Sequence, residues 1–248
     1  MLNIGPIEKK LINSRSKKKA LCLPLIDPNN TSKDKLKEVV NGLPKNSIDA
    51  VLVGGSTVVD LILLNNTIKF IKNSLRVPVI LFPNNITGIS QYADAILYMI
   101  LLNTESPYYL IEAQMLGSAL IDKYKIEALP TSYLIFNEGS AAAFIGHARP
   151  LPRGKPEIVK LYSLAAKYMG SRVLYLEAGS GSNNPVSVND ITSAKSVFDG
   201  FVIVGGGITS RALATNAIKA GADGIIVGNL FEHGDNLETF ISIANECK

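Results

Sequence analysis

Apolar residues in this chain fall into short continuous runs, set between stretches in which apolar positions recur every three or four residues. Continuous runs of this length read as strands buried on both faces, and the three-to-four spacing reads as amphipathic helix. On that pattern strands are expected at residues 20–26, 50–53, 77–82, 95–102, 132–136, 172–177, 201–204 and 224–227. Helices are expected at 32–42, 58–72, 107–124, 156–169 and 236–247, with a short amphipathic lead-in at 4–14. Strands alternating with helices imply an α/β fold with a parallel sheet. The length, 248 residues, is close to the roughly 250 of a (β/α)8 TIM barrel. No Pro/Ser-rich linker interrupts the chain, so a single barrel domain over residues 1–248 is expected.

Two segments break the alternation. Residues 83–94 are rich in turn formers and too few for a loop, a full helix and a return loop. The third helix of the barrel is therefore expected to be stunted or missing, leaving an apolar strand flank open to a ligand. Residues 137–152 carry two prolines and several glycines, and read as an ordered loop or an extra hairpin.

Composition narrows the class further. Hydrophobic residues make up 47% and charged residues 19%, which suits a fully buried parallel sheet. The formal charge is +4, with a basic cluster at Lys9, Lys10, Arg15, Lys17, Lys18 and Lys19. That cluster reads either as a solvated helix face or as attraction for an anionic substrate or membrane surface. It is short and lacks interleaved aromatics, so nucleic-acid binding is not expected. Cys22 and Cys247 suggest neither a disulfide framework nor a zinc site. No stretch has the length of a membrane span and no signal-peptide core is present, so a reduced, cytoplasmic protein is expected.

The candidate chemistry lies at strand ends. Tyr175-Leu-Glu-Ala-Gly-Ser-Gly181, Val204-Gly-Gly-Gly-Ile208 and Val227-Gly-Asn229 each close an apolar run with glycine. Loops after the seventh and eighth strands of such barrels commonly hold a phosphate. Gly206, Gly207, Gly228 and Asn229 form the expected cradle, with a helix N-terminus at Thr209-Ser210. The alternative is that these glycines only shape tight turns. Glu177, inside an apolar strand, is costly to bury without partners and reads as a general base or as half of an ion pair. Asp27 ends the first strand and is either a turn former before Pro28 or a Mg²⁺ ligand. Ser56, after Gly54-Gly55, adds a hydroxyl on the same face or caps a helix. His147 and His233 are the only histidines, and both read as surface or structural residues.

Leu25-Ile-Asp-Pro28, Val53-Gly-Gly-Ser56, Leu81-Phe-Pro-Asn-Asn85, the Tyr175–Gly181 string, Gly205-Gly-Gly207 and Gly228-Asn229 resemble the strand ends of one family. These are the archaeal geranylgeranylglyceryl phosphate synthases and their bacterial heptaprenylglyceryl relatives, and the resemblance runs through nearly the whole chain. It implies a barrel enzyme joining geranylgeranyl diphosphate to the 3-hydroxyl of sn-glycerol 1-phosphate, the first ether bond of archaeal membrane lipids. It implies a glycerol-phosphate site from Tyr175, Leu176, Glu177, Ala178, Gly179, Ser180, Gly181, Gly206, Gly207, Gly228 and Asn229, with Glu177 as catalytic base. Asp27 and Ser56 would hold Mg²⁺, and the prenyl tail would follow the gap left by the missing helix. A peripheral membrane contact and a homo-oligomer are further expectations. Asn29-Asn30 stand where the family usually has an acidic residue and a lysine, which removes charge beside the expected metal. Pro83-Asn84-Asn85 stands where it usually has Pro-Gly-Asn. Rival readings are a synthase for a longer prenyl chain, a sugar-phosphate isomerase and a flavin-binding barrel.

Overall fold

Eight parallel strands close into a barrel in chain order. The structure, a computed structural model, describes residues 4–57, 60–137, 139–228, 230 and 236–248. The strands are β1 (Leu21–Ile26), β2 (Val51–Gly54), β3 (Val79–Phe82), β4 (Ala95–Leu101), β5 (Glu127–Ile135), β6 (Val173–Glu177), β7 (Phe201–Gly205) and β8 (Gly224–Val227). β8 returns to β1, with Leu21 opposite Gly224 and Pro24 opposite Val227. The helices are α1 (Pro6–Arg15), α2 (Lys33–Gly42), α3 (Leu61–Ser74), α4 (Ala113–Tyr124), α5 (Ala141–Ile145), α6 (Pro156–Tyr168), α7 (Val188–Lys195), α8 (Arg211–Lys219) and α9 (Leu237–Glu246). Among the described residues no helix is long and apolar enough to cross a membrane.

Side chains alternate along each strand, so one set fills the barrel and the other meets the helices. Leu21, Leu23, Leu52, Ile80 and Leu97 belong to the inner core. Cys22, Ile26, Val53, Leu81 and Ile96 pack in the outer layer. Cys22 and Cys247 share that outer layer, and the Cys247 thiol together with burial pushes the Cys22 thiol well above its ordinary range.

The connection from β3 to β4 holds only a single 3-10 turn, Ile86–Gly88, as its length required. The outer ring therefore lacks a full helix there. α4 is preceded by a π-helical turn, Tyr108–Glu112, part of what the sequence pattern read as one continuous helix.

Two expectations need correction. β5 begins at Glu127, well before Ser132, although Pro130 argues against a strand. In an extended strand a residue's N and C=O point to the same side. The Pro130 carbonyl accepts Arg172 N at 2.8 Å on the β6 side, below the first β6 rung at Thr131–Val173. The missing N–H therefore faces no strand acceptor. Among the described residues of 137–152 there is no hairpin: the Ser140 hydroxyl accepts Ala143 N at 3.1 Å and starts the short α5 on an alanine run. Its strand character is one isolated bridge, Thr104 to Ala148.

At the floor, where the strands begin, a device recurs. Asp49, just before β2, accepts Cys22 N at 2.8 Å; Asp94, before β4, accepts Val79 N at 2.8 Å; Asp223, before β8, accepts Val202 N at 3.0 Å. Each ties the start of the preceding strand, and each meets a cation. Lys18 lies 2.8 Å from Asp49, Lys72 2.6 Å from Asp94, and Lys195 2.6 Å from Asp223, which also takes Arg15 at 3.2 Å. Glu127 accepts Ile7 N and Glu8 N at 2.7 and 2.9 Å, docking α1 across the floor. Arg15 and Lys18 of the basic cluster are thus floor closures, at the opposite end from the strand-end glycines.

Candidate active site

Glu177 closes β6, buried, with Ile135 of β5 and Gly205 of β7 as its register partners. Its Oε2 accepts the Tyr175 hydroxyl and its Oε1 accepts Gly179 N at 2.6 Å. Burial pushes the Glu177 carboxyl above its ordinary 4.5, and the two hydrogen bonds pull it part of the way back. Among the described residues no cation pairs with it. A carboxylate made more basic, still carrying unused lone pairs and placed at a strand end, suits proton abstraction.

Gly206 follows at φ +76, and a Cβ there would press on Glu177 Oε1 and lie 2.6 Å from Gly179 N. Only glycine lets the β7 turn pass this close to the carboxylate. Gly228, after β8, is different: a Cβ would meet Leu25 at 3.5–3.7 Å, an ordinary contact. Ser210 caps α8 by accepting Leu213 N at 3.3 Å, so the helix starts at Arg211, slightly later than expected. Ser180 and Gly181 are exposed at the mouth. Leu176 and Ala178 point outward into the helical layer, so their side chains do not reach the site. Asn229 and His233 lie outside the described residues.

Asp27 ends β1 and is 7% exposed. Its Oδ1 accepts Asn29 N at 2.9 Å and its Oδ2 accepts Asn30 Nδ2 at 3.0 Å. Burial raises its pKa above the ordinary 3.8, opposed by those hydrogen bonds. Gly55 lies against it, since a Cβ there would collide with the carboxylate, and Ser56 is half-buried next along the chain. Among the described residues no cluster of three or more acidic, histidine or cysteine side chains forms a metal cage. A single carboxylate, with Ser56 one residue beyond the Gly55 that touches it, still fits Mg²⁺, which keeps waters and substrate phosphates as its other ligands.

A groove opens where the outer helix is missing. It holds about 850 Å³ of space, part of it continuous with solvent. Gly55, Ser56 and Phe82 line one part of it, Tyr133 and Met99 another, and Ile86, Ile89, Gly117 and Ile121 its outer part. The Tyr108 hydroxyl donates to Asn85 Oδ1, linking the π-helical turn to the 3-10 turn. Tyr133 stacks on Tyr175 with ring centroids 5.0 Å apart and planes at 8°, and Phe82 and Tyr175 meet edge-to-face with centroids 5.5 Å apart. Through Tyr175, which hydrogen-bonds Glu177, these aromatics connect the groove lining to that carboxylate. The sequence pattern assigned Tyr133 no role and offered Phe82 only as part of the Leu81–Asn85 motif, because an aromatic inside a strand carries the same signal as any core residue.

A family model described as the PcrB family matches residues 14–246. The chain belongs to the PcrB family. Two of its relatives are geranylgeranylglyceryl phosphate synthases. The one from Cenarchaeum symbiosum is 42% identical over 241 residues, covering 97% of this chain and 98% of that one. The one from Pyrococcus horikoshii is 42% identical over 237 residues, covering 96% and 93%. Among solved structures, (S)-3-O-geranylgeranylglyceryl phosphate synthase from Thermoplasma acidophilum, in complex with substrate sn-glycerol-1-phosphate, superposes with a TM-score of 0.91. It is 33% identical and is covered over 99% of both chains. The Thermoplasma volcanium enzyme gives a TM-score of 0.92 at 34% identity, covering 99% of this chain and 98% of that one. Thiamine phosphate pyrophosphorylase from Pyrococcus furiosus, at 13% identity and a TM-score of 0.58, shares the fold alone. Membership of the PcrB family agrees with the strand-end motifs, whose described residues follow the C-terminal ends of the barrel strands.

Proposed function

We propose that this PcrB-family chain joins geranylgeranyl diphosphate to the 3-hydroxyl of sn-glycerol 1-phosphate. The observation that carries the reading is Glu177: a buried carboxylate without a cation among the described residues, next to a glycine turn and joined by aromatics to an apolar groove. The relatives' shared name and the sn-glycerol-1-phosphate complex of the Thermoplasma acidophilum barrel support it.

In this reading the turns at Gly206, Gly207 and Gly228 hold the phosphate through backbone N–H groups, which turns the glycerol 3-hydroxyl toward Glu177. Glu177 takes the hydroxyl proton. The oxygen then bonds to the allylic carbon while the bond from that carbon to the diphosphate breaks, and diphosphate leaves with the electron pair. Tyr175 and Gly179 N fix the carboxylate's direction, so little reorganisation is needed when the proton moves. Asp27 and Ser56 would hold Mg²⁺, which supplies positive charge for the departing diphosphate. The groove shields the prenyl tail and the allylic carbon from water.

Incubation with labelled sn-glycerol 1-phosphate, Mg²⁺ and prenyl diphosphates of graded length, followed by extraction, tests the reading. A labelled ether-linked lipid formed best from geranylgeranyl diphosphate is expected. Formation best from heptaprenyl diphosphate would favour the longer-chain synthase, and no product at any length would reject the proposal.

A further inference from the structure

Residues 147–155 lead from α5 to α6 past the C-terminal ends of the strands, and they are fastened at buried points. Asn103, 2% exposed and just after β4, donates from Nδ2 to Ile135 O at 2.8 Å and to Arg149 O at 2.9 Å. The Asn103 carbonyl accepts Arg149 N at 2.7 Å, and Ile135 O also accepts Leu151 N at 3.1 Å. The Leu151 side chain is buried beneath the segment. These bonds make the segment a strap tied to the ends of β4 and β5.

Arg153 comes next on the strap and is exposed. Its Nη2 donates to Asn184 O at 3.2 Å, so the strap reaches the loop that follows β6. That loop backs the glycine turn after β7: a Cβ on Gly207 would stand 2.6 Å from Ser182 O and 3.3 Å from Pro185 N. Asn184 O and Pro185 N belong to one peptide unit, which places the guanidinium within about 10 Å of Gly207 Cα. Arg15, Lys18, Lys72 and Lys195 at the floor each meet a carboxylate. Arg153 meets none among the described residues, and only one of its guanidinium donors has a partner there. Its charge is left unanswered next to a turn whose own N–H groups carry only partial charge.

We propose that Arg153 supplies the positive charge that draws the phosphate dianion of sn-glycerol 1-phosphate into the turn at Gly206 and Gly207. This rests on the glycine turns holding that phosphate, as proposed above, and adds the full counter-charge that backbone N–H groups lack. The bond to Asn184 O keeps the guanidinium on the side of the loop that backs Gly207. About 10 Å is one screening length in 0.1 M salt, so the attraction acts on the anion in dilute salt and is nearly gone in strong salt.

The test is calorimetric binding of sn-glycerol 1-phosphate in about 0.05 M and about 0.5 M salt. It compares the wild-type chain with Arg153→Gln, Arg153→Lys and Lys167→Gln, the last removing the same charge from the far end of α6, where Lys167 pairs with Asp199. Arg153→Gln should bind about fivefold more weakly in dilute salt and within about twofold of wild type in strong salt. Arg153→Lys keeps the charge and should stay near wild type, as should Lys167→Gln. In turnover Arg153→Gln should raise the KM for sn-glycerol 1-phosphate and leave kcat and the KM for the prenyl diphosphate unchanged. Wild-type affinity of Arg153→Gln in dilute salt would overturn the proposal. So would an equal loss in Lys167→Gln, which would trace the effect to net charge. A loss as large in strong salt and not rescued by lysine would also overturn it, making Arg153 a brace for the Asn184 loop. A wild-type chain that binds no sn-glycerol 1-phosphate would instead reject the underlying reading.

Discussion

Asp49 and Asp223 at the floor of the barrel, and Asp27 and Glu177 at its mouth, are all carboxylates withdrawn from water. They are neutralised in different ways. The floor residues meet Lys18, Lys195 and Arg15, and hold strand starts through backbone N–H groups. The mouth residues meet only hydrogen-bond donors among the described residues: a tyrosine, an asparagine side chain and the backbone N–H groups of Asn29, Asn30 and Gly179. Burial accordingly raises the pKa of Glu177 and of Asp27. The same side-chain chemistry serves stability where its charge is answered within the fold, and where it is not the carboxylate is the one proposed above for chemistry.

The largest effect should come from the mouth. Glu177→Gln keeps volume but cannot take a proton, and kcat should fall by about 10²–10⁴-fold, read under saturating substrate. A folded variant with full kcat would place Glu177 among structural carboxylates like those of the floor. The sign of its stability effect separates the two ends as well. A carboxyl whose folded pKa lies above its unfolded value binds more protons in the folded state. Its ionisation therefore lowers stability as pH rises from the ordinary 4.5 through the raised value. Glu177→Gln should melt at or above the wild-type temperature at neutral pH, with the difference vanishing in acid.

Asp27→Asn comes next. Diphosphate turnover should drop by about a hundredfold or more, while calorimetric binding of sn-glycerol 1-phosphate persists. Unchanged Mg²⁺ dependence would reduce Asp27 to a turn former. At the floor, Asp223→Asn should cost about 2 kcal/mol in denaturant unfolding, because Lys195 and Arg15 lose their counter-charge, and leave kcat as it was. An equal loss of activity would show that the two ends are not independent. The smallest change is Gly228→Ala, whose methyl has room against Leu25. The KM for glycerol phosphate should rise several-fold, about 1 kcal/mol, with an unchanged melting temperature. Valine at Gly206 is a poorer probe, since it would displace the Glu177 carboxylate as well as block an anion.

Strand order and the missing helix were legible because both follow from local pattern: continuous apolar runs, and a connection too short for a helix. The strand-end positions of Glu177 and Asp27 were legible because each charge directly follows an apolar run. The early start of β5 was hidden by Pro130, whose harmlessness depends on where a neighbouring strand begins. The role of Arg15 and Lys18 was hidden because their partners, Asp223 and Asp49, are distant in sequence and only the closed barrel brings them near. The nearness of Gly206 to Glu177 was hidden for the same reason. Chemistry written into one segment can be read from the chain, whereas chemistry shared between two strands needs the fold.

The pairing of β8 with β1 also dictates an order of events during synthesis. β1 leaves the ribosome early, but Leu21–Pro24 have no partner on one side until Gly224–Val227 follow. The bonds from Ala20 N to Cys247 O and from Leu21 N to Asp223 O form later still or at the same moment. Until then the nascent sheet is an open ribbon with a bare apolar edge, the kind of edge that recruits other chains. The β1–β8 pairing removes both edges at once, so a lesion near β8 is expected to lower the yield of folded protein, read as the soluble fraction on expression.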